Sequence, residues 1–237
     1  MPEGSRLDAG SATDHNPETI VSKPRAAKRA RWAVRVFVAA LCLYAVLALL
    51  ANRYAYFAWD LVLARRIQSI ELPGFAALMS GVSILGNGWI AWPLVAVAGL
   101  VMLSARLRTE AAMCMASAFL GWIVNQSLKF IVARPRPSAD LVHVMGVHQF
   151  QSFPSGHVIF FVEFFGFLFF LSYVLLERGL LRRVALGVLG LLIALVGVSR
   201  IYLGAHWPSD VTGAYLAGGI WLMLCIETYR RLKSRSS

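Results

Sequence analysis

Charged residues are scarce in this sequence. Only 15% of its 237 residues are charged, whereas 58% are hydrophobic and the mean hydropathy is +0.65. Soluble globular domains carry about 25% charged residues, so this composition is typical of an integral membrane protein and argues against two globular domains. We expect an all-α fold, a bundle of six transmembrane helices.

Acidic residues are about half as frequent as basic ones, and cysteines are rare. The 12 acidic residues face 23 Lys and Arg, which gives a net charge of +11. The basic residues crowd the termini and the short breaks between apolar runs, a distribution that indicates membrane topology and no nucleic-acid partner. Cys42, Cys114 and Cys225 each lie inside an apolar run without metal-ligand spacing, so we interpret them as small core residues.

Six apolar runs approach the length that crosses a bilayer. The predicted spans cover residues 33–50, 89–104, 111–132, 155–176, 184–198 and 208–226. Residues 75–85 are shorter and end at Gly86-Asn87-Gly88, which predicts an interfacial or re-entrant helix, and Pro93 predicts a kink in the second span. Residues 1–31 predict a disordered basic arm, residues 32–228 the membrane domain, and residues 229–237 a basic tail.

The basic residues also predict the orientation of the spans. Six spans place both termini on one side, and 16 of the 23 Lys and Arg residues lie on that side. Because positive charge accumulates in the cytosol, we expect a multi-pass protein of the cell membrane with cytosolic termini. The end of the third span, the start of the fourth and the loop between the last two then lie at the extracytoplasmic face.

Three charged or titratable side chains stand at the junction between the last two spans. Arg200, His206 and Asp210 lie within 11 residues of one another, and charge this close to hydrocarbon usually marks a functional site. Asp210 follows His206 by four residues, so its carboxylate can accept a hydrogen bond from the imidazole and leave the other ring nitrogen free to attack. Arg200 suits a phosphate oxygen.

Two further stretches supply groups for the same anion. Lys129 and Arg136 end the third span in a Lys-x6-Arg-Pro pattern, and Ser155-Gly156-His157 begins the fourth after Pro154. Ser155 can cap the helix, and Gly156 lets the backbone approach a ligand. The amide groups at this helix start, with the positive end of the helix dipole, are suited to an anion.

Together the three stretches resemble the type-2 phosphatidic acid phosphatase (lipid phosphate phosphatase) superfamily. The matching motifs are Lys-x6-Arg-Pro, Pro-Ser-Gly-His and Ser-Arg-x5-His-x3-Asp, in that order, and the resemblance covers roughly residues 41–226. The resemblance implies a lipid phosphatase in which His206 forms a phosphohistidine, Asp210 orients it, and His157 protonates the leaving oxygen and then activates water. Phosphate binding falls to five residues, without a metal or other cofactor: Lys129, Arg136, Ser155, Gly156 and Arg200.

The substrate and the acceptor stay open at this point. The expected substrate is a lipid phosphate or diphosphate in the bilayer: undecaprenyl diphosphate, which the breadth of the family favours, or phosphatidylglycerophosphate, phosphatidate or a lipid A phosphate. A phosphotransferase, a vanadium-dependent haloperoxidase and a non-enzymatic transporter are the alternatives.

Four other polar residues lack an assigned role. Arg134 is either a surface charge or a substrate contact, and His143 and His148 are interpreted as solvated loop residues near the head group. Glu163 lies inside the fourth span, where a carboxyl needs a neutral form or a partner. The phenylalanines around it are interpreted as lipid-facing, with some lining a groove for the lipid chain.

Overall fold

The structure is a computed structural model that describes residues 17–146 and 150–236. Within these ranges every regular secondary-structure element is a helix. Nine α-helices and one π-helical turn follow one another along the described chain. They are α1 (Pro17–Arg53), α2 (Ala58–Gln68), α3 (Phe75–Ile84), α4 (Gly88–Ser104), α5 (Arg108–Val132), α6 (Gly156–Phe160), the π-helical turn (Phe161–Phe165), α7 (Gly166–Leu175), α8 (Leu180–Tyr202) and α9 (Pro208–Ser236).

The helices have the lengths of a membrane bundle. In the described chain five helical segments are long and apolar enough to cross a bilayer, and a sixth results if the bent pair α3–α4 counts as one span. Large apolar side chains are exposed along the outside of the helices, such as Phe130 at 80% and Ile131 at 70%. The predicted all-α membrane fold is therefore confirmed.

Several boundaries differ from the predicted ones. The chain bends by 61° between α3 and α4, at Gly86 and Asn87, while α4 continues through Pro93 as a single helix. α9 continues to Ser236, so the predicted tail is helical over its described part. Of the predicted disordered arm, residues 17–31 belong to α1 and residues 1–16 lie outside the described residues.

The chain divides into two units with a boundary after Val38, inside α1. The described part of the first unit is the beginning of that helix. The second unit contains the rest of α1 and every other helix. Within it, Tyr44 stacks on Phe153 and Asn52 donates a hydrogen bond to the carbonyl of Val132.

The segment from α6 to α7 forms the centre of the second unit. Its phenylalanines were predicted to face lipid, but Phe161, Phe164, Phe165 and Phe167 are buried in the core. Phe161 and Phe165 pack edge to face, and Phe164 stacks on Phe160, geometries that aromatic pairs favour. The cysteines were predicted to be core residues. This is right for Cys114 and Cys225, which are buried, and wrong for Cys42, which is exposed.

Candidate active site

The site lies where four helix ends meet. α5 and α8 end there, while α6 and α9 begin there, and loop segments join them through backbone hydrogen bonds. The amide of Ser152 donates to the carbonyl of Arg134 at 2.8 Å, and the amide of Met145 donates to that of Leu203 at 2.9 Å. The three sequence motifs therefore meet at one end of the bundle.

His206 is buried and has its two ring nitrogens in different surroundings. Nε2 lies 3.3 Å from Nη1 of Arg136, and the side chain lines a cavity. Nδ1 lies 3.7 Å from Oδ2 of Asp210, which is longer than a hydrogen bond. The hydroxyl of Ser152 stands between them, 3.5 Å from Nδ1 and 2.5 Å from Oδ2, so the predicted direct hydrogen bond is replaced by a contact through serine.

A closed set of four buried side chains stands behind the histidine, and we name it the carboxylate network. It consists of Asp60, Arg134, Ser209 and Asp210. Nη1 of Arg134 donates to Oδ1 of Asp210 at 2.6 Å, and Nη2 donates to Oδ2 of Asp60 at 3.1 Å. The hydroxyl of Ser209 donates to the same oxygen of Asp60 at 2.7 Å. Buried charges persist only when paired in this way.

Arg134 was interpreted either as a surface charge or as a substrate contact, and its burial contradicts the first of these. Its side chain is fully buried and absent from the cavity wall. Its Nε donates to the carbonyls of Tyr54 and Ala55, so all three guanidinium nitrogens have protein acceptors. Arg134 thus pairs with Asp210 in the first turn of α9 and with Asp60 on α2.

A cavity of about 1020 Å³ opens in front of the histidine. Three cationic side chains line it, Lys129, Arg136 and Arg200. The partly exposed Trp92 and Trp122 also line it. A tetrahedral anion attached to a hydrocarbon chain fits this combination of charge and apolar surface.

Backbone carbonyls orient two of the cations. Nζ of Lys129 donates to the carbonyl of Gln151 at 2.7 Å. Nε of Arg136 donates to the carbonyl of Phe150 at 2.9 Å, and its Nη1 donates to that of Ala205 at 2.7 Å. Burial lowers the pKa of Arg136, and the Asp210 carboxylate opposes that shift. The guanidinium nevertheless stays charged in a protein.

Arg200 is the most deeply buried of the three cations. Its Nη1 donates to the hydroxyl of Ser83 on α3, while its Nε has no hydrogen-bond partner in the described part of the chain. A buried N–H without a partner is costly. An anion in the cavity is therefore a suitable acceptor for this group.

Ser155 occupies the predicted cap position before α6, but its side chain makes no capping hydrogen bond. Its backbone is extended, and its buried hydroxyl has no partner among the described residues. A Cβ on Gly156 would lie 2.9 Å from Nδ2 of Asn125. The glycine thus lets α6 approach α5, whereas the approach of this backbone to a ligand stays a prediction.

Asn87, a residue outside the three motifs, contacts the imidazole of His157. Nε2 of this imidazole lies 3.0 Å from Oδ1 of Asn87, in the bend between α3 and α4. A Cβ on Gly86 would lie 2.5 Å from the imidazole, so only glycine leaves room for the ring there. The interruption read from Gly86-Asn87-Gly88 was therefore a signal for the site as well as for the bend.

Some site residues were missed by the sequence reasoning, and the structure describes one of the two loop histidines. Asp60, Ser83 and Asn87 contact site residues from elements without a motif, and Ser152 lies in the loop before Pro154. The backbone of His143 exchanges hydrogen bonds with Gln68, away from the cavity wall. His148 lies outside the described residues.

Comparison with known proteins now places the chain in a family. The sequence profile of the PAP2 superfamily matches residues 109–234, which is more than half of the chain and includes all three motifs. The chain belongs to the PAP2 superfamily. Phosphatidylglycerophosphatase B of Bacillus subtilis is 28% identical over 161 residues, 67% of this chain and 77% of the relative.

Two further comparisons are with a sequence relative and with a crystal structure. Decaprenylphosphoryl-5-phosphoribose phosphatase of Mycobacterium tuberculosis is 29% identical over 143 residues, 60% of this chain and 73% of the relative. The crystal structure of the PAP2-type phosphatidylglycerolphosphate phosphatase from Bacillus subtilis superposes with a TM-score of 0.73, covering 82% of this chain and 96% of that one at 23% identity. This likeness establishes the membrane fold.

Proposed function

We propose that the protein is a phosphatase that hydrolyses a lipid phosphate or diphosphate monoester at the extracytoplasmic membrane surface through a phosphohistidine intermediate. The observation that carries the proposal is the position of His206 Nε2, which lies 3.3 Å from Nη1 of Arg136 at the wall of the cationic cavity. A nucleophile and the group that binds the phosphoryl oxygen belong at this distance.

The first step transfers the phosphoryl group to the enzyme. Nε2 of His206 attacks phosphorus, the P–O bond to the lipid breaks, and His157 gives its proton to the departing oxygen. Asp210 stabilises the charged imidazole through the Ser152 contact and Nδ1. Lys129, Arg136 and Arg200 bind the equatorial oxygens, with the Ser155 hydroxyl and the Gly156 amide as further donors.

The second step releases phosphate. A water molecule gives a proton to His157 and attacks phosphorus, the P–N bond breaks, and inorganic phosphate leaves with His206 restored. In both steps the cations neutralise the negative charge on the transferring phosphoryl group. This neutralisation is what phosphoryl transfer chiefly requires of the protein.

The proposed substrates follow from the cavity and the relatives. A cavity lined by both cations and tryptophans suits a phosphate carried by a hydrocarbon chain. The relatives' names include a glycerolipid phosphatase and a polyprenyl-linked phosphatase, so both classes are candidates. They comprise phosphatidylglycerophosphate, phosphatidate, undecaprenyl diphosphate and a lipid A phosphate.

A phosphate-release screen tests the proposal. The purified full-length protein in detergent is assayed with a panel of these lipids, alongside His206→Ala purified in the same way. We expect phosphate release from at least one lipid, inhibition by vanadate, and almost no release by the variant. Release from none of the panel, or equal release by His206→Ala, contradicts the proposal.

A further inference from the structure

Glu163 is a buried acidic residue inside the bundle that the proposed chemistry does not use. Its side chain is 3% exposed and lies at the middle of the π-helical turn Phe161–Phe165. It lines the cationic cavity and also a second, smaller cavity of about 170 Å³. π-helical turns inside α-helices are frequent at functional sites.

The carboxyl group occupies a place that the neighbouring helix leaves open. A Cβ on Gly121 of α5 would lie 2.2 Å from Oε2 and 2.3 Å from Oε1 of Glu163. Any other residue at position 121 would therefore collide with the carboxyl group. The glycine lets the carboxyl group lie between α5 and the π-helical turn, at the cavity wall.

In the described chain the Glu163 carboxyl has neither an ion pair nor a hydrogen bond. The apolar side chains of Trp122 and Phe160 line the same cavity, as does the side chain of Asn125. Because a polar group in such surroundings is costly without a partner, a bound ligand is the natural partner for Glu163.

The position along the helix says which part of a lipid reaches the carboxyl. Glu163 follows His157 by six residues, a rise of about 9 Å at the helical repeat. The phosphate binds at the level of His157, so the carboxyl lies at the level of the groups that join the phosphate to its hydrocarbon chains. In a glycerolipid these groups are ester carbonyls, which accept hydrogen bonds, whereas a polyprenyl chain has only hydrocarbon there.

We propose that Glu163, as the neutral acid, donates a hydrogen bond to an ester carbonyl of a glycerolipid phosphate and so selects this class over polyprenyl phosphates. The proposal rests on the proposed phosphatase function and names its substrate class. Glu163 is a specificity-determining residue and takes no part in bond breaking. An isoprenoid chain leaves the carboxyl without a partner, which penalises its binding.

A pair of matched substrates tests this hydrogen bond. Diacyl phosphatidate and its dialkyl ether analogue differ in the ester carbonyls, and farnesyl phosphate represents the polyprenyl class. The purified wild type is compared with Glu163→Leu, which removes the donor, Glu163→Gln, which keeps one, and Phe169→Leu, an apolar change on the neighbouring α7.

We expect the wild type to hydrolyse the diacyl lipid with a kcat/KM about tenfold above that of the ether analogue. Glu163→Leu brings this ratio close to one, mainly through KM, while Glu163→Gln and Phe169→Leu retain most of it. A general folding defect lowers the rates for all substrates and leaves the ratio intact.

The possible failures are distinguishable. An unchanged diacyl-to-ether ratio in Glu163→Leu overturns the role of Glu163 and leaves the phosphatase intact. Hydrolysis of farnesyl phosphate without hydrolysis of either glycerolipid also overturns the proposed selection. Absence of hydrolysis for every lipid phosphate instead contradicts the proposed function itself.

Discussion

Arginine side chains lie on both sides of His206, and protein carboxylates neutralise the one that lies behind it. Behind it, Arg134 is surrounded by Asp60 and Asp210, and each guanidinium nitrogen has an acceptor. In front of it, Arg200 faces the cavity, where its Nη1 donates to the hydroxyl of Ser83 and its Nε has no partner among the described residues. The carboxylate network is complete within the protein, whereas the cationic cavity needs an anion to complete it.

This difference separates structural from functional arginines better than burial does. Arg134 and Arg200 are both buried, at 0% and 5% exposure, so burial alone would give them one role. The distinction lies in the partners, because a buried cation with two carboxylates is neutralised, while one bonded only to a serine hydroxyl still attracts an anion. Substitutions on the two sides should therefore have different signatures.

The largest effect is expected for His206→Ala, which removes the proposed nucleophile between the two sides. Turnover should fall roughly 10⁴-fold or more, since no other group can form the covalent intermediate. The melting temperature should change little, because Asp60 and Asp210 stay paired with Arg134 when the imidazole is removed. Phosphate release and thermal unfolding of the same preparation measure both quantities, and a variant with wild-type turnover refutes the assignment.

Arg134→Met tests the carboxylate network. Removing the cation leaves Asp60 and Asp210 buried without it, at a cost of about 3–5 kcal/mol in stability. We expect a large drop in melting temperature and in the yield of folded protein. Arg66→Met, at an exposed position of α2, is the matched control, and equal stability of the two variants would show that the network is dispensable.

Arg200→Lys tests the cavity side. The lysine keeps the charge but loses the planar fork that binds two phosphoryl oxygens, so kcat/KM should fall about 100-fold. The unfolding temperature should stay near that of the wild type, in contrast to Arg134→Met. Steady-state kinetics across substrate concentrations measure the fall, and full activity with lysine would mean that charge alone suffices at this position.

Ser152→Ala gives the smallest effect, because it changes the contact between the two sides. Asp210 loses one of its donors, and the imidazole loses the hydroxyl that connects it to the carboxylate. We expect kcat to fall about tenfold, with KM little affected. A melting-temperature measurement shows that the fold is retained, and an unaltered kcat would remove Ser152 from the positioning of His206.

The sequence predicts the motif residues well because they stand at span ends, where charge near hydrocarbon is conspicuous. Asp60 could not be found this way, since it lies in a mixed segment where a carboxylate is unremarkable and its partner Arg134 is 74 residues away. The shift of the Asp210 contact to Ser152 depends on side-chain geometry that spacing does not encode. The phenylalanines were misassigned because an all-apolar helix gives no indication of which face meets the core.

The account depends most directly on a covalent bond between phosphorus and His206. A radiolabelled lipid phosphate that the enzyme hydrolyses is mixed with it, quenched with alkali within the first turnover, and the protein is digested and sequenced by mass spectrometry. We predict an acid-labile, alkali-stable phosphoryl group on His206 that is absent from His206→Ala. Full-rate turnover without such an adduct, or with the phosphoryl group on another residue, would contradict the mechanism.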